Sequence, residues 1–274
     1  MKRLNGFFII VALQMITALD AQNIFLHPLP DENMRLGVKV LRPEFTYDAQ
    51  LSSISAAYDL YGNIPITNSS NLSLSLPVII DAYDGTNRGN GTGNFFAGWQ
   101  SRPDSVDSVY TSMLLGVFLP TASANHPEVL FLGSYAYFQE PQKAMANVLT
   151  LYMNYSMQFE KNPGKGWIYA LEGGPQIFIP IKASAGSGEL FLHYGLMCTY
   201  AFKKISFSCE ILGLAGLTET YATLAERFDH SVGFAANFKF DFFRPSLFYQ
   251  FITDDQTGIV INGIYGFKTS IIFH

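Results

Sequence analysis

Residues able to do chemistry are few in this chain and thinly spread. In "TASANHP", Ser123 and His126 share one loop, the two types a hydrolytic nucleophile and its base require. No carboxylate is spaced in the sequence to orient the imidazole. The five histidines (27, 126, 193, 230 and 274) have no metal-ligand spacing, and Cys198 and Cys209 stand eleven apart, a poor zinc arrangement. "GNGTG" (89–93) carries the glycines of a phosphate cradle, but no helical pattern follows it. Asn68, Asn71, Asn90 and Asn154 begin Asn-x-Ser/Thr triplets, with Asn154 in the middle of an extended run. No catalytic residue, metal or cofactor is expected.

The polar residues that remain recur at every second position, which makes them features of strands. "LTLYMNYSMQFE" (149–160) sets Leu149, Leu151, Met153, Tyr155, Met157 and Phe159 against Thr150, Tyr152, Asn154, Ser156, Gln158 and Glu160. "NLSLSLPV" (71–78), "SVGFAANFKFDF" (231–242) and the C-terminal "INGIYGFKTSIIFH" (261–274) alternate in the same way. Period-two alternation builds strands with one apolar and one polar face. Several runs reach about ten to fourteen residues, longer than the five or six usual in a soluble sandwich and long enough to cross a bilayer at a tilt.

Composition points the same way. Charged residues make up 14% and aromatics 15%, against roughly 25% charged in an ordinary soluble chain. The net charge of −5, with no basic patch, argues against nucleic acid. "MKRLNG" followed by "FFIIVALQMITAL" reads as a secretory signal, residues 1–21, cut before Gln22. Its apolar run is too short for a spanning helix. Residues 22–33, with Pro28 and Pro30, read as a periplasmic lead-in, and 34–274 as an all-β, antiparallel transmembrane barrel in a bacterial outer membrane.

Thirteen runs qualify as strands: 35–46, 51–61, 70–79, 93–101, 109–119, 129–139, 147–159, 167–179, 189–202, 205–214, 230–242, 246–253 and 260–273. Single-chain bacterial barrels use even numbers, so about twelve are expected, within ten to fourteen, with 35–46 demoted to a partial, plug-like or edge segment. The tight turns at Lys203–Lys204 and Phe243–Pro245 fall on one side, taken as periplasmic. Both termini then end there.

These parities send Glu172, Gln176, His193, Glu210, Asn237, Lys239, Asp241, Gln250 and Lys268 into the lumen, with Tyr152, Asn154 and Gln158. Such a lining either selects what enters or forms paired charges that hold the barrel shut. Tyr265, Phe267, Ile271 and Phe273 face lipid, and Trp99, Tyr110, Trp167, Tyr249 and Tyr265 are candidates for aromatic girdles. A two-residue turn at Lys203–Lys204 pairs Tyr200 with Phe207 and Cys198 with Cys209. The cysteines are therefore a candidate disulfide, or two small residues against lipid.

"TGNFFAGWQSR" and "VYTSMLLGVFLPTAS" (92–123), with "AYDLYGNIPITNSSNLSLSLPV" (57–78), resemble the outer-membrane channel family named for the meta-pathway of phenol degradation. Gly91, Gly93 and Asn94 match its "GxGD" element with Asn for Asp. Leu119, Pro120 and Thr121 match its "lPtG" with Ala122 for Gly, and Tyr61 and Gly62 match "rYGl". The resemblance implies a passive, porin-like channel without enzymatic activity for small, hydrophobic or aromatic solutes; the strand reading adds external loops, chiefly 80–92, 140–146 and 215–229, as its expected gates. It also implies that the last strand, ending at Phe273 and His274, is read by barrel-assembly machinery. The alternatives are a non-conducting structural or secretion-associated barrel and an outer-membrane lipid hydrolase built on Ser123 and His126.

Overall fold

The computed structural model describes residues 24, 26, 27, 29, 32–47, 51–102, 104–106, 108–162, 165–182, 186–218 and 227–273. The expected signal segment, 1–21, lies outside the described residues.

Strands β1 (Met34–Phe45), β2 (Ala56–Thr67) and β3 (Ser70–Tyr83) open the wall. A short β4 (Arg88–Thr92) folds back on β3, β5 (Phe95–Ser101) follows, and a three-residue β6 (Asp104–Val106) pairs with β7 (Val109–Leu119). Then come helix α1 (Pro127–Ala136), β8 (Val148–Glu160), β9 (Gly166–Pro180), β10 (Glu189–Ala201), β11 (Ile205–Gly216), β12 (Phe228–Phe238), β13 (Ser246–Ile252) and β14 (Ile261–Phe273). Every long pairing is antiparallel. Around the ring the order is β1, β14 through β7 in sequence, then β5, β3 and β2, which pairs again with β1. Twelve strands close the barrel, as expected.

The twelve are not the expected twelve. The run 35–46 is a full wall strand, bonded to β14 along its whole length, with Lys39 opposite Lys268 and Met34 opposite Phe273. The run 129–139 is instead largely helical. Its apolar residues are nearly continuous, and such a run does not distinguish a buried strand from a buried helix. Pro127, pre-set for the first turn, starts α1. Val129, Leu132, Gly133 and Ala136 then fall on one helical face, all buried. That face packs on Leu41, Ala57, Ile79, Ile261 and Ile264 at the mouth of the barrel.

Outside, the wall is apolar. Leu151, Leu196, Phe207, Phe234, Leu247 and Phe251 all point outward and are exposed. In water that belt would be an aggregation surface; facing acyl chains it needs no partner. Near the end where β1 begins and β14 stops, Trp167, Tyr200, Phe202 and Phe207 stack edge to face, ring centres 4.9–6.4 Å apart, forming part of an aromatic girdle. No described helix is long and apolar enough to span a membrane. The fold is an outer-membrane barrel.

The Lys203–Lys204 hairpin has the expected register, with Tyr200 opposite Phe207 and Cys198 opposite Cys209. The two cysteines face one another half-buried and stand as free thiols.

Candidate functional site: the occupied lumen

Twelve strands leave a bore wider than the eight-stranded case that wall side chains fill unaided. Two segments from elsewhere in the chain enter it.

The first is the lead-in. Rather than lying outside the barrel, its described residues run up the lumen. The Ile24 and Leu26 N–H groups donate to the two carboxylate oxygens of Glu210 at 2.8 and 3.0 Å, and the His27 N–H donates to Glu172 at 2.8 Å. Ile24 reaches the apolar cluster under α1, and Leu26 packs with Ile168, Met197 and Leu212. Gly195 makes the seat for Leu26. A Cβ there would lie 2.3 Å from the Leu26 Cδ2 atom. An extended chain entering a water-excluded bore must satisfy its backbone donors, and the wall supplies two carboxylates for the purpose.

Around His27 the contact becomes a polar network. Tyr152 Oη lies 3.1 Å from His193 Nε2 and 3.3 Å from His27 Nδ1, with the Tyr152 and His193 rings stacked at 4.8 Å. Asn154 joins His193 Nε2 at 2.8 Å and donates to Glu172 at 3.1 Å. Four side chains from three segments are thereby tied to one carboxylate, Glu172.

The second segment is the long β7–β8 connection, 120–147, which carries α1 and a 3-10 turn, Pro141–Lys143. Lys143 Nζ donates to Asp59 at 2.7 Å and pairs with Glu140 at 2.9 Å, while Lys39 stands 3.8 Å from Glu140. Ser75 Oγ donates to the second oxygen of Asp59 at 2.5 Å. The sequence motifs of 91–94 and 119–122 meet here and hold this connection down. Asn94, fully buried, donates to the Gln142 and Met145 carbonyls at 2.8 and 2.7 Å and accepts from the Ala122 N–H at 2.9 Å. Its own N–H donates to the Lys143 carbonyl. That carbonyl would lie 2.2 Å from a Cβ at position 93, so Gly93 is required by close approach. Thr121 Oγ1 closes the clamp, donating to the Gly93 carbonyl and accepting from the Phe95 N–H.

On the outer rim the β1–β2 loop is tied in separately. Asp81 accepts from Ser52 and Ser55 hydroxyls and from Arg88 at 2.7 Å.

Basic residues cluster on the β1 side of the bore, with Asp59 of β2 directly opposite Lys39 among them. Lys39 and Lys268, directly opposed on β1 and β14, share one wall with Arg35. Glu172 on β9 lies six strands around a ring of twelve, diametrically opposite β1. Lys268 also sits 5.4 Å over the Tyr61 ring.

Of the remaining residues read as lining, Gln176, Asn237 and Gln250 are buried on the inner side; Gln250 donates to Ser231, and Asn237 to Ser208. β12 ends at Phe238, so Lys239 and Asp241 lie in the turn beyond the wall, Asp241 exposed. Sequence reasoning omitted Arg35, Lys39, Asp59, Glu140 and Lys143. Demoting 35–46 removed the frame that carries Arg35 and Lys39, reading 129–139 as a strand removed that of Glu140 and Lys143, and Asp59 lay in an expected strand, 51–61, without being singled out. His126 does have a carboxylate at hand, Glu128 at 3.3 Å, but Ser123 Oγ is hydrogen-bonded to the Asn125 N–H and makes no contact with that ring among the described residues.

The lid cluster has a definite pH response. Burial pushes the Glu140 carboxyl up, but Lys143 and Lys39 outweigh it and hold it at about 2. Burial opposes the Lys143 charge, yet Asp59 and Glu140 raise it above the ordinary lysine value. A depressed carboxylate stabilises the folded state above its ordinary value of 4.5 and loses that contribution as pH falls toward 2. A raised lysine contributes fully below its ordinary 10.5 and loses its contribution only above it. Proteolysis of the 120–147 connection in the folded barrel is therefore expected to be flat from about pH 5 to 10 and to accelerate progressively below about pH 4, measured with an acid-active protease.

A closed twelve-stranded barrel with an apolar belt and a polar, occupied lumen defines the class: an outer-membrane β-barrel. Among solved structures the chain is similar to an outer-membrane channel from Pseudomonas putida F1, at 12% identity and a TM-score of 0.57, covering 93% of this chain and all of that one. It is also similar to the NanC porin (10% identity, TM-score 0.53, 87% and 99% covered) and the KdgM porin (10%, 0.50, 88% and 99%). No family model matches the sequence, and no curated protein does.

Proposed function

We propose that the protein is a passive channel of the bacterial outer membrane, closed in this structure by the lead-in and by the α1 connection. One observation carries the reading: two segments that belong to no wall strand, the lead-in and the α1 connection, enter the bore and are bonded there to inward-facing wall side chains. A barrel serving only as a structural plug would be expected to fill its centre from the wall. Small apolar or aromatic solutes fit by resemblance to the phenol meta-pathway family, with no enzymatic step, cofactor or energy coupling. In the same reading the apolar belt meets outer-membrane lipid, and β14, ending on Phe273, is the strand that assembly machinery recognises.

Purified protein in planar bilayers tests the proposal. Rare openings are expected from the intact chain, and long open events once residues 22–33 are deleted. Absence of conductance from both, at any voltage, with the heat-modifiable gel shift of a folded barrel retained, would favour the non-conducting structural role.

A further inference from the structure

The rim of short turns carries positive charge on its lipid-facing side. Where the β8–β9 and β10–β11 turns adjoin, a groove of about 530 Å3 opens outward. Its sides are Tyr200, Phe202 and Phe207, all exposed, and its charged groups are Lys165, Lys203 and Lys204. The three lysines are exposed and make no ion pair among the described residues. Of the carboxylates on this rim from β8 to β13, Glu160 is buried on the inner face of β8 and Asp241 lies exposed in the β12–β13 turn. Turn chemistry gives no reason for the lysines. A two-residue hairpin favours Asn-Gly or Asp-Gly, and Lys203–Lys204 instead sets two like charges side by side. The backbone beneath them is fixed. The Phe202 N–H donates to the Ile205 carbonyl and the Lys239 N–H to the Lys204 carbonyl, each at 2.8 Å.

We propose that this groove holds the headgroup of an anionic phospholipid in the periplasmic leaflet. Short turns lie on the periplasmic side of outer-membrane barrels, and aromatic girdles sit at the level of the lipid headgroups. The headgroup phosphate would lie among Lys165, Lys203 and Lys204, each a compact point charge suited to phosphate. The acyl chains would run along Tyr200 and Phe207 toward Leu196 and Ile211, exposed on the same two strands. A zwitterionic lipid carries the same phosphate but brings its own cation against the lysines, so net negative charge decides the preference. A free anion meets the charge and leaves the aromatic sides unused. The site lies on the outer wall, outside the bore, so it goes beyond the channel reading and does not rest on it.

The test uses the full-length barrel reconstituted into phosphatidylcholine vesicles. Trp99 and Trp167 are the two tryptophans of the chain, so Trp99→Phe leaves Trp167, 4.9 Å from Tyr200, as the single reporter beside the groove. Phosphatidylglycerol brominated in the upper acyl chain is titrated in as quencher, against phosphatidylcholine brominated at the same place. A lysine beside an anionic headgroup adds about a fivefold preference, so phosphatidylglycerol is expected to quench at a mole fraction at least about tenfold lower. Raising the salt should shrink that gap, because the lysines are exposed. The double variant Lys203→Gln/Lys204→Gln is expected to bring the two lipids to within about twofold. Lys182→Gln, exposed beyond the far end of β9, leaves the preference unchanged. Should the double variant lose the heat-modifiable shift, Lys165→Gln serves in its place, with a loss of about fivefold expected. Equal quenching by the two lipids, or a preference that survives the lysine substitutions, overturns the proposal. A preference cancelled by inorganic phosphate but not by chloride of equal ionic strength shows a free-anion site and overturns the lipid assignment.

Discussion

Gly195→Leu is expected to lengthen channel openings many-fold. Leu26 occupies the space that any side chain at position 195 must enter, since even a Cβ would stand 2.3 Å from its Cδ2. The wall cannot retreat there, because β10 is bonded to β9 and β11 through residues on both sides of position 195. The lead-in must therefore yield. Among the described residues its backbone is held by two N–H bonds to Glu210 and one to Glu172, each worth about 1.5–3 kcal/mol as bonds to a charged acceptor, beside the packing of Ile24 and Leu26 and the ring contacts of His27. Glu210→Gln tests the same contact from the other side. It keeps the shape, removes the charge, and turns one acceptor into a donor facing a donor. A loss of about 2 kcal/mol shifts the docked-to-released ratio about thirtyfold. Single-channel open probability should rise for both variants, and the double variant should add little, because each releases the same segment. Unchanged open probability in both variants would mean that the lead-in does not gate.

The second large effect belongs to Asn94→Ala. The change removes three side-chain hydrogen bonds at a fully buried position and leaves the Gln142 and Met145 carbonyls and the Ala122 N–H without that partner. An unmet buried group costs about 1–3 kcal/mol, so the 120–147 connection should lose about 2–4 kcal/mol of docking stability after partial rehydration. Barrel closure does not depend on it: β5 keeps its ladders to β3 and β7. The expected result is cleavage of the connection by external protease about thirtyfold faster or more, with an unchanged heat-modifiable shift. Asn94→Asp makes the sharper comparison. It keeps an acceptor for the Ala122 N–H but presents a carboxylate to two carbonyls, so it should be at least as disruptive as alanine. This gives a physical reason for Asn where the resembling family carries Asp. Resistance to protease equal to that of the parent chain would show that the clamp is not what holds the lid.

Much of the barrel was legible because its signal is local. Leu151, Met153 and Tyr155 alternate with Tyr152, Asn154 and Ser156 whatever the rest of the chain does, and a two-residue turn fixes Cys198 opposite Cys209 by arithmetic. Parity likewise put Glu172, His193, Glu210 and Gln250 on one side of their strands, where the structure buries them. The total of twelve also matched, although by a compensating exchange. One true strand was demoted, 35–46, because thirteen candidate runs had to yield an even number with both termini on one side. One false strand was kept, 129–139, because a nearly continuous apolar run has no period to read.

Sequence by itself thus determined a closed, membrane-embedded wall with a polar inner face, since inward and outward residues differ in kind at every second position. Only the tertiary structure decided what fills that wall. The lead-in is a dozen residues without periodicity, and its place is set by two carboxylates more than a hundred positions away. The lid depends on Asn94 reaching carbonyls near 145, and the basic wall on β1 meeting β14 across the entire chain. Contacts of that range leave no mark on neighbouring residues, because they exist only once the barrel has closed.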